Sequence, residues 1–291
     1  MSHMPLESPP EVVDMFNVSK QDVQTAPFPH ILKEGFLDQD FYERLKKDFP
    51  GDEIFEGQRS QHGAGTGSRT GQGFDIYRGD AAYENLIKTS EAWKEFDAYI
   101  NSRAFIETFN ACFGDRLQEL GCKAQILPEA YDHDFIEGRE VMPATASLGE
   151  RVKEFGRRLT NSGKAAEKAA KLFTRLDIHR AMKGYAKDVH CDRANRLCSL
   201  ILYFCDADKA GFTGGDLTIH AHVKQKPAWK HERHPDPKDA PVVATVHPKE
   251  NVGVFFPCSN NSYHGVTQLT SHGGSRDYLY INISGITESL W

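Results

Sequence analysis

The sequence predicts an α+β fold in which helices come first and a β-rich region follows. Three observations carry this. Apolar residues recur at three- and four-residue spacing between about residues 38 and 120, the signature of helices with one buried face. From about Arg180 the texture changes to short β-rich runs separated by turn signals. With 291 residues, 39% hydrophobic and 11% aromatic, the chain can bury one large core, or at most two small ones, without staples.

Residues 1–26 read as a polar leader, partly disordered, ahead of a single domain over 27–291. Pro27-Phe28-Pro29-His30-Ile31-Leu32 is a short extended entry, and a helix follows from about Asp38 to Phe49. Asp38 is its N-cap, Phe41, Leu45 and Phe49 share a face, and Pro50 ends the pattern. Residues 57–80 are rich in Gly, Ser, Gln and Arg and read as a long loop, either a binding lid or a plain surface loop. A second helix starts near Ser90 and aligns Trp93, Phe96 and Ile100, and a third runs from Ala104 to Leu120. Residues 149–172 carry a Lys/Arg/Ala-dense helical pattern that reads as a solvated face. This helical layer extends over 27–180. The β core follows over about 180–285, with strands at 197–204, 214–219, 242–246, 252–256 and 278–283, and the Pro-rich run 224–239 is an insertion between strands.

The charge balance, 35 Lys plus Arg against 41 Asp plus Glu, gives no global attraction to nucleic acid or to an anionic membrane. Six cysteines without a CxxC pair indicate neither a zinc knuckle nor a disulfide framework, which fits reduced thiols and a cytoplasmic setting. No stretch of about 18 apolar residues and no leader with an apolar segment occurs, so neither a membrane span nor a secretory signal is expected. Oligomeric state is not readable.

The chemistry concentrates in the β-rich half. His190-Cys191-Asp192 places a histidine and a carboxylate two residues apart, and on a strand both project from one face toward a single ion. His264 follows 74 residues later and completes a two-His, one-carboxylate facial triad that leaves three coordination positions open. Twelve residues on, across Ser271-His272-Gly273-Gly274, Arg276 starts the last strong strand, in one hairpin with His264. Its planar guanidinium suits a bidentate grip on a dicarboxylate in the same cavity. Gly214-Gly215-Asp216-Leu217 is a tight turn between the triad members.

This order of motifs, His190-x-Asp192, Arg196-Leu-Cys-Ser-Leu-Ile-Leu-Tyr203, Gly214-Gly-Asp-Leu217, His264-Gly-Val266 and Arg276, resembles the prolyl-hydroxylase-like branch of the iron(II)/2-oxoglutarate dioxygenases. Pro27-Phe28-Pro29-His30 and Phe36-Leu37 also resemble the entry of bacterial members, though over the N-terminal third the likeness is loose. The resemblance implies a double-stranded β-helix, a jelly-roll related to the cupins, with helices packed on one sheet. It implies Fe(II) held by His190, Asp192 and His264, and 2-oxoglutarate gripped by Arg276 with support from Tyr203 and from Tyr185 upstream of the triad. It further implies hydroxylation of an unactivated C–H bond with O2 as co-substrate and release of succinate and CO2. The presence of Asp192 rather than Ala or Gly favours hydroxylation over halogenation, and Tyr278 two residues after Arg276 departs from the Arg-x-Ser subgroup. Desaturation, epoxidation and ring formation remain open.

Strand parity adds a reading of its own. If Arg276 faces the barrel interior, so do Tyr278, Tyr280 and Asn282, while Leu279, Ile281 and Ile283 face out. Ser199, Ile201 and Tyr203 likewise share one face, which makes Tyr280, Asn282 and Ser199 expected cavity-lining residues. The segments 57–80, 129–187 and 221–247 are the expected recognition loops. The substrate is expected to be a small molecule, such as an amino acid, a natural-product intermediate or a sugar derivative, with a protein or peptide side chain as the alternative. Two other classes share parts of the pattern: a zinc hydrolase, which has no use for Arg276, and a non-catalytic cupin-like binding protein.

Overall fold

A computed structural model of the chain describes residues 14–56, 73–137, 169–224, 232–270 and 273–291. Among them, ten strands form two antiparallel sheets: β1 (Ile31–Glu34), β2 (Gly73–Tyr77), β3 (Leu172–Ala181), β4 (Lys187–His190), β5 (Arg196–Tyr203), β6 (Leu217–His220), β7 (Val242–Val246), β8 (Val252–Pro257), β9 (His264–Val266) and β10 (Arg276–Gly285). The larger sheet runs β1-β8-β5-β10-β3-β2 and the smaller β4-β9-β6-β7. The two sheets are the walls of a jelly-roll, with the helices α1 (Gln39–Lys47), α2 (Ala81–Thr89), α3 (Glu91–Ile100) and α4 (Arg103–Phe113) preceding most of the strands.

The helices start where local chemistry says they should. Asp38 Oδ1 accepts from the Phe41 N–H at 3.1 Å and opens α1, and Ser90 Oγ accepts from the Trp93 N–H at 3.4 Å and opens α3. Trp93, Phe96 and Ile100 then bury completely on one face of α3. Helix α4, expected from Ala104 to Leu120, ends at Phe113, earlier than its apolar pattern suggests, and passes into a single 3-10 turn at Gly114–Arg116. The helices cover the outer face of the larger sheet. There Leu200, Leu202, Leu279, Ile281 and Ile283 share one core with Trp93, Phe96, Phe105 and Phe109. Phe255 on β8 meets the rings of Phe36, Phe105, Phe109 and Phe113 at centroid separations of 5.4–6.5 Å. Each such side chain contributes about 1.5–3 kcal/mol through burial.

The inner face follows the parity expected of β5 and β10. Tyr278 pairs with Tyr203, Tyr280 with Ile201 and Asn282 with Ser199. These side chains point between the sheets, away from the helices.

Several expectations need correction. Residues 14–26 are no detached leader: Phe16 is 3% exposed, bridges to Leu37 and sits among the rings of Phe36, Phe96, Tyr99 and Phe105. The loop expected over 57–80 ends in strand β2, and helix α2 follows it unannounced. The β region starts at Leu172 rather than near Arg180, and β1, β2 and β3, half of the larger sheet, come from the span read as a helical layer. His264 and Arg276 do not share a hairpin, because β9 lies in the smaller sheet and β10 in the larger. The basic helical pattern of 149–172 falls mostly on 138–168, outside the described residues, as do 57–72 and 225–231 in the other expected recognition loops.

Candidate metal and 2-oxoglutarate site

His190 ends β4 and His264 begins β9, and the two are cross-strand partners with ring centroids 4.4 Å apart. Each ring is turned by its own backbone neighbourhood. His190 Nδ1 hydrogen-bonds the Asp188 carbonyl at 2.8 Å, and His264 Nδ1 the Ser262 carbonyl at 3.1 Å. A carbonyl only accepts, so both Nδ1 atoms carry the proton and both Nε2 atoms present a lone pair, the tautomer a metal ligand needs. Burial also keeps both rings neutral, pushing His190 down to about 3 and lowering His264.

Asp192 lies past the end of β4, so its approach to His190 owes to the chain's turn after the strand rather than to strand alternation. Its Oδ2 accepts from Ser199 Oγ at 2.7 Å and Cys258 Sγ at 3.3 Å, and its Oδ1 from Tyr280 Oη at 3.2 Å. Arg196 Nη1 donates in turn to Tyr280 Oη. Burial opposes the carboxylate's charge, while the Arg196 guanidinium and the hydrogen bond from Ser199 favour the ionised form. The ligand atoms of His190, Asp192 and His264 all fall within 4.8 Å of one another.

Arg276 is 1% exposed. Its Nε donates to the Gly215 carbonyl at 2.7 Å and its Nη2 to Tyr203 Oη at 3.0 Å, while the guanidinium carbon lies 4.1 Å above the Tyr278 ring. Nη1 has no hydrogen-bond partner among the described residues. An always-charged, fully buried guanidinium with an unused donor requires an anion. The turn that meets it explains the paired glycines: Gly214 and Gly215 both have φ near +75°, and a Cβ on Gly214 would stand 1.9 Å from the Gln268 carbonyl oxygen.

One cavity, open to solvent, touches all three triad residues, Arg276, Tyr185 and Tyr280. Tyr185 Oη bonds Tyr278 Oη at 3.1 Å and reaches Arg276 only through that ring. Tyr203 meets Arg276 from behind instead of lining the cavity. Ser199 and Asn282, expected to line it, do not: both are fully buried, and Ser199 is held against Asp192 and Tyr280. Three residues at the site escaped the sequence reading. His179 stacks on Tyr278 at 4.9 Å, Cys258 bonds Asp192, and Lys187 reaches the cavity rim. A further cluster of Asp75, Asp177 and His179 has the Arg175 guanidinium in it, with Nε 2.6 Å from Asp177, so its carboxylate charge is already met internally.

Residues 176–283 match the family model described as the 2OG-Fe(II) oxygenase superfamily. Over those residues the chain is similar to this superfamily. No curated protein sequence matches the chain significantly. Among solved structures, an oxidoreductase of the 2OG-Fe(II) oxygenase family from Burkholderia pseudomallei is 18% identical, with 50% of this chain and 58% of that one covered and a TM-score of 0.28. A prolyl 4-hydroxylase from Phytophthora capsici is 15% identical over 89% of this chain and 60% of its own (TM-score 0.43). The chain thus spans less than two thirds of these two. A Pseudomonas putida prolyl-4-hydroxylase is 14% identical, with 89% of this chain and 93% of that one covered and a TM-score of 0.43. The superfamily uses Fe(II) and 2-oxoglutarate, and the residues present fit both. Two Nε2 lone pairs and one anchored carboxylate are a donor set for Fe(II) with room for further ligands, and the unpaired Nη1 of Arg276 suits a carboxylate.

Proposed function

We propose that the protein is an Fe(II)- and 2-oxoglutarate-dependent dioxygenase that hydroxylates an unactivated C–H bond of a small molecule. The observation that carries this reading is Arg276. A buried guanidinium with a free donor in the same cavity as the His190–Asp192–His264 cluster suits a dicarboxylate cosubstrate and has no role in a zinc hydrolase.

His190 and His264 hold the metal through Nε2, and Asp192 through a carboxylate oxygen whose direction is set by Ser199, Cys258 and Tyr280. Arg276 grips the far carboxylate of 2-oxoglutarate while Gly215 and Tyr203 keep the guanidinium from rotating. Ile201, Leu217 and Val266 give the cavity an apolar flank, which strengthens both charge contacts once bound molecules exclude water. The bound pair supplies the oxidising chemistry: 2-oxoglutarate, O2 and R–H become succinate, CO2 and R–OH.

The test is anaerobic titration of the Fe(II)-loaded protein with 2-oxoglutarate, read by the weak visible charge-transfer band of the chelate. The band appears in the native protein and is lost in His264→Ala and Asp192→Ala. Bound iron without a band in the native protein rejects the dioxygenase reading in favour of a hydrolase or binding protein.

A further inference from the structure

The pairing of β4 with β9 is irregular. Lys187 stands opposite Val266 and His190 opposite His264, so three steps along β4 match two along β9. The extra residue is a β-bulge. In a regular strand, residues three apart point to opposite faces, and Lys187 would then face away from the metal ligands. The bulge turns it back, so that Lys187 and His190 line the same cavity.

Lys187 has no carboxylate partner among the described residues. Its Nζ lies 6.0 Å over the Tyr280 ring, the same ring whose hydroxyl holds Asp192, and the side chain is otherwise exposed at the rim. The charges lining the loaded site leave this cation over. Fe(II) and the 2-oxoglutarate dianion cancel, Asp192 and Arg276 cancel, the lining histidines are neutral, and Lys187 remains. An unbalanced charge beside the apolar flank of Ile201, Leu217 and Val266 is costly once a substrate excludes water.

We propose that Lys187 is a specificity-determining residue that binds a free carboxylate on the substrate, so that the substrate is a small carboxylic acid. The inference rests on the dioxygenase reading above. It separates small acids from an internal residue of a peptide, which brings no free carboxylate to the rim.

The experiment compares the Fe(II)-loaded native protein with Lys187→Met and Lys187→Arg. The chelate band with 2-oxoglutarate is recorded first, then succinate release with free and N-acetylated L-amino acids, each against its own carboxamide, and with a proline-rich peptide blocked at both ends. The expected result is an unchanged band in all three proteins and succinate release favouring an acid over its amide. Lys187→Met should raise KM for that acid by roughly 10- to 100-fold, leave KM for 2-oxoglutarate unchanged and erase the acid-over-amide preference, which Lys187→Arg retains. A band lost only in Lys187→Met assigns the residue to 2-oxoglutarate and overturns the proposal. So does release driven by the amides or the blocked peptide as strongly as by any acid, or by no acid at all. Absence of the band in the native protein is the separate failure of the dioxygenase reading.

Discussion

The Tyr280 hydroxyl donates to Oδ1 of Asp192 at 3.2 Å, and Arg196 Nη1 backs the same hydroxyl. With Ser199 and Cys258 on Oδ2, both carboxylate oxygens are fixed before any metal arrives. Tyr280→Phe removes one of these donors and leaves a buried guanidinium group without its acceptor. Fe(II) affinity should fall by about 10-fold or more, and stability by roughly 1–3 kcal/mol. Metal titration and urea denaturation separate the two effects. An unchanged metal affinity would show that Ser199 and Cys258 orient Asp192 alone.

Arg276→Ala should raise KM for 2-oxoglutarate by roughly 10- to 100-fold, the worth of a lost charge-assisted contact, while Fe(II) binding stays near native because no triad residue touches Arg276 directly. Steady-state kinetics across 2-oxoglutarate concentration, with equilibrium Fe(II) titration beside it, checks both halves. Arg276→Lys should recover only part of the loss, since an ammonium cannot reproduce the contacts to Gly215 and Tyr203 and still offer a fork.

Gly214→Ala should be strongly destabilising. The position has φ of +75°, and the added Cβ would meet backbone, the Gln268 carbonyl oxygen at 1.9 Å, which cannot give way as a flexible side chain can. The left-handed backbone alone costs about 1–2 kcal/mol, so a total loss above about 2 kcal/mol in chemical denaturation is expected. Since the same turn carries the Gly215 carbonyl, 2-oxoglutarate affinity should drop in parallel.

His247 sits after β7, with Nδ1 2.6 Å from Asp216 in the glycine turn and Nε2 3.4 Å from Asp208. The hydrogen bond to Asp216 raises its pKa against a smaller opposing effect of burial. A raised folded pKa stabilises the fold while the ring is protonated, fully below the unfolded value of about 6.5, and that stabilisation is lost as pH rises through the folded value. The ring is 40% exposed, so screening holds the effect under about 1 kcal/mol. Melting temperatures of native protein and His247→Gln should differ most near pH 5.5 and converge in mildly alkaline buffer. A difference that grows with pH would refute the assignment.

The legible parts of the sequence were those whose chemistry is ordered along the chain. His190, Asp192, His264 and Arg276 come together as their motif order implies, and the alternation of β5 and β10 assigns Tyr203, Tyr278 and Tyr280 to the inner face. Strand β3 was hidden by its function. Its outward set, Leu172, Leu176 and Ile178, is a period-two pattern, but the inward set, Arg175, Asp177 and His179, is polar, with His179 bordering the cavity, and a basic run precedes it. Strand β2 offers only five residues after a glycine-rich stretch. Lys187 could not be placed from parity, because its direction depends on a bulge that only the pairing with β9 reveals.

Because the histidines hang from the smaller sheet and Arg276 from the larger, a molecule held by both is a cross-tie between the two walls. The native protein carries a lesser tie already, the Arg276 contact to Gly215 on the turn entering β6. Occupancy and the mechanical integrity of the sandwich therefore draw on the same few atoms. A substitution that lets one wall slide against the other, however far from the cavity, would change how long the cosubstrate stays.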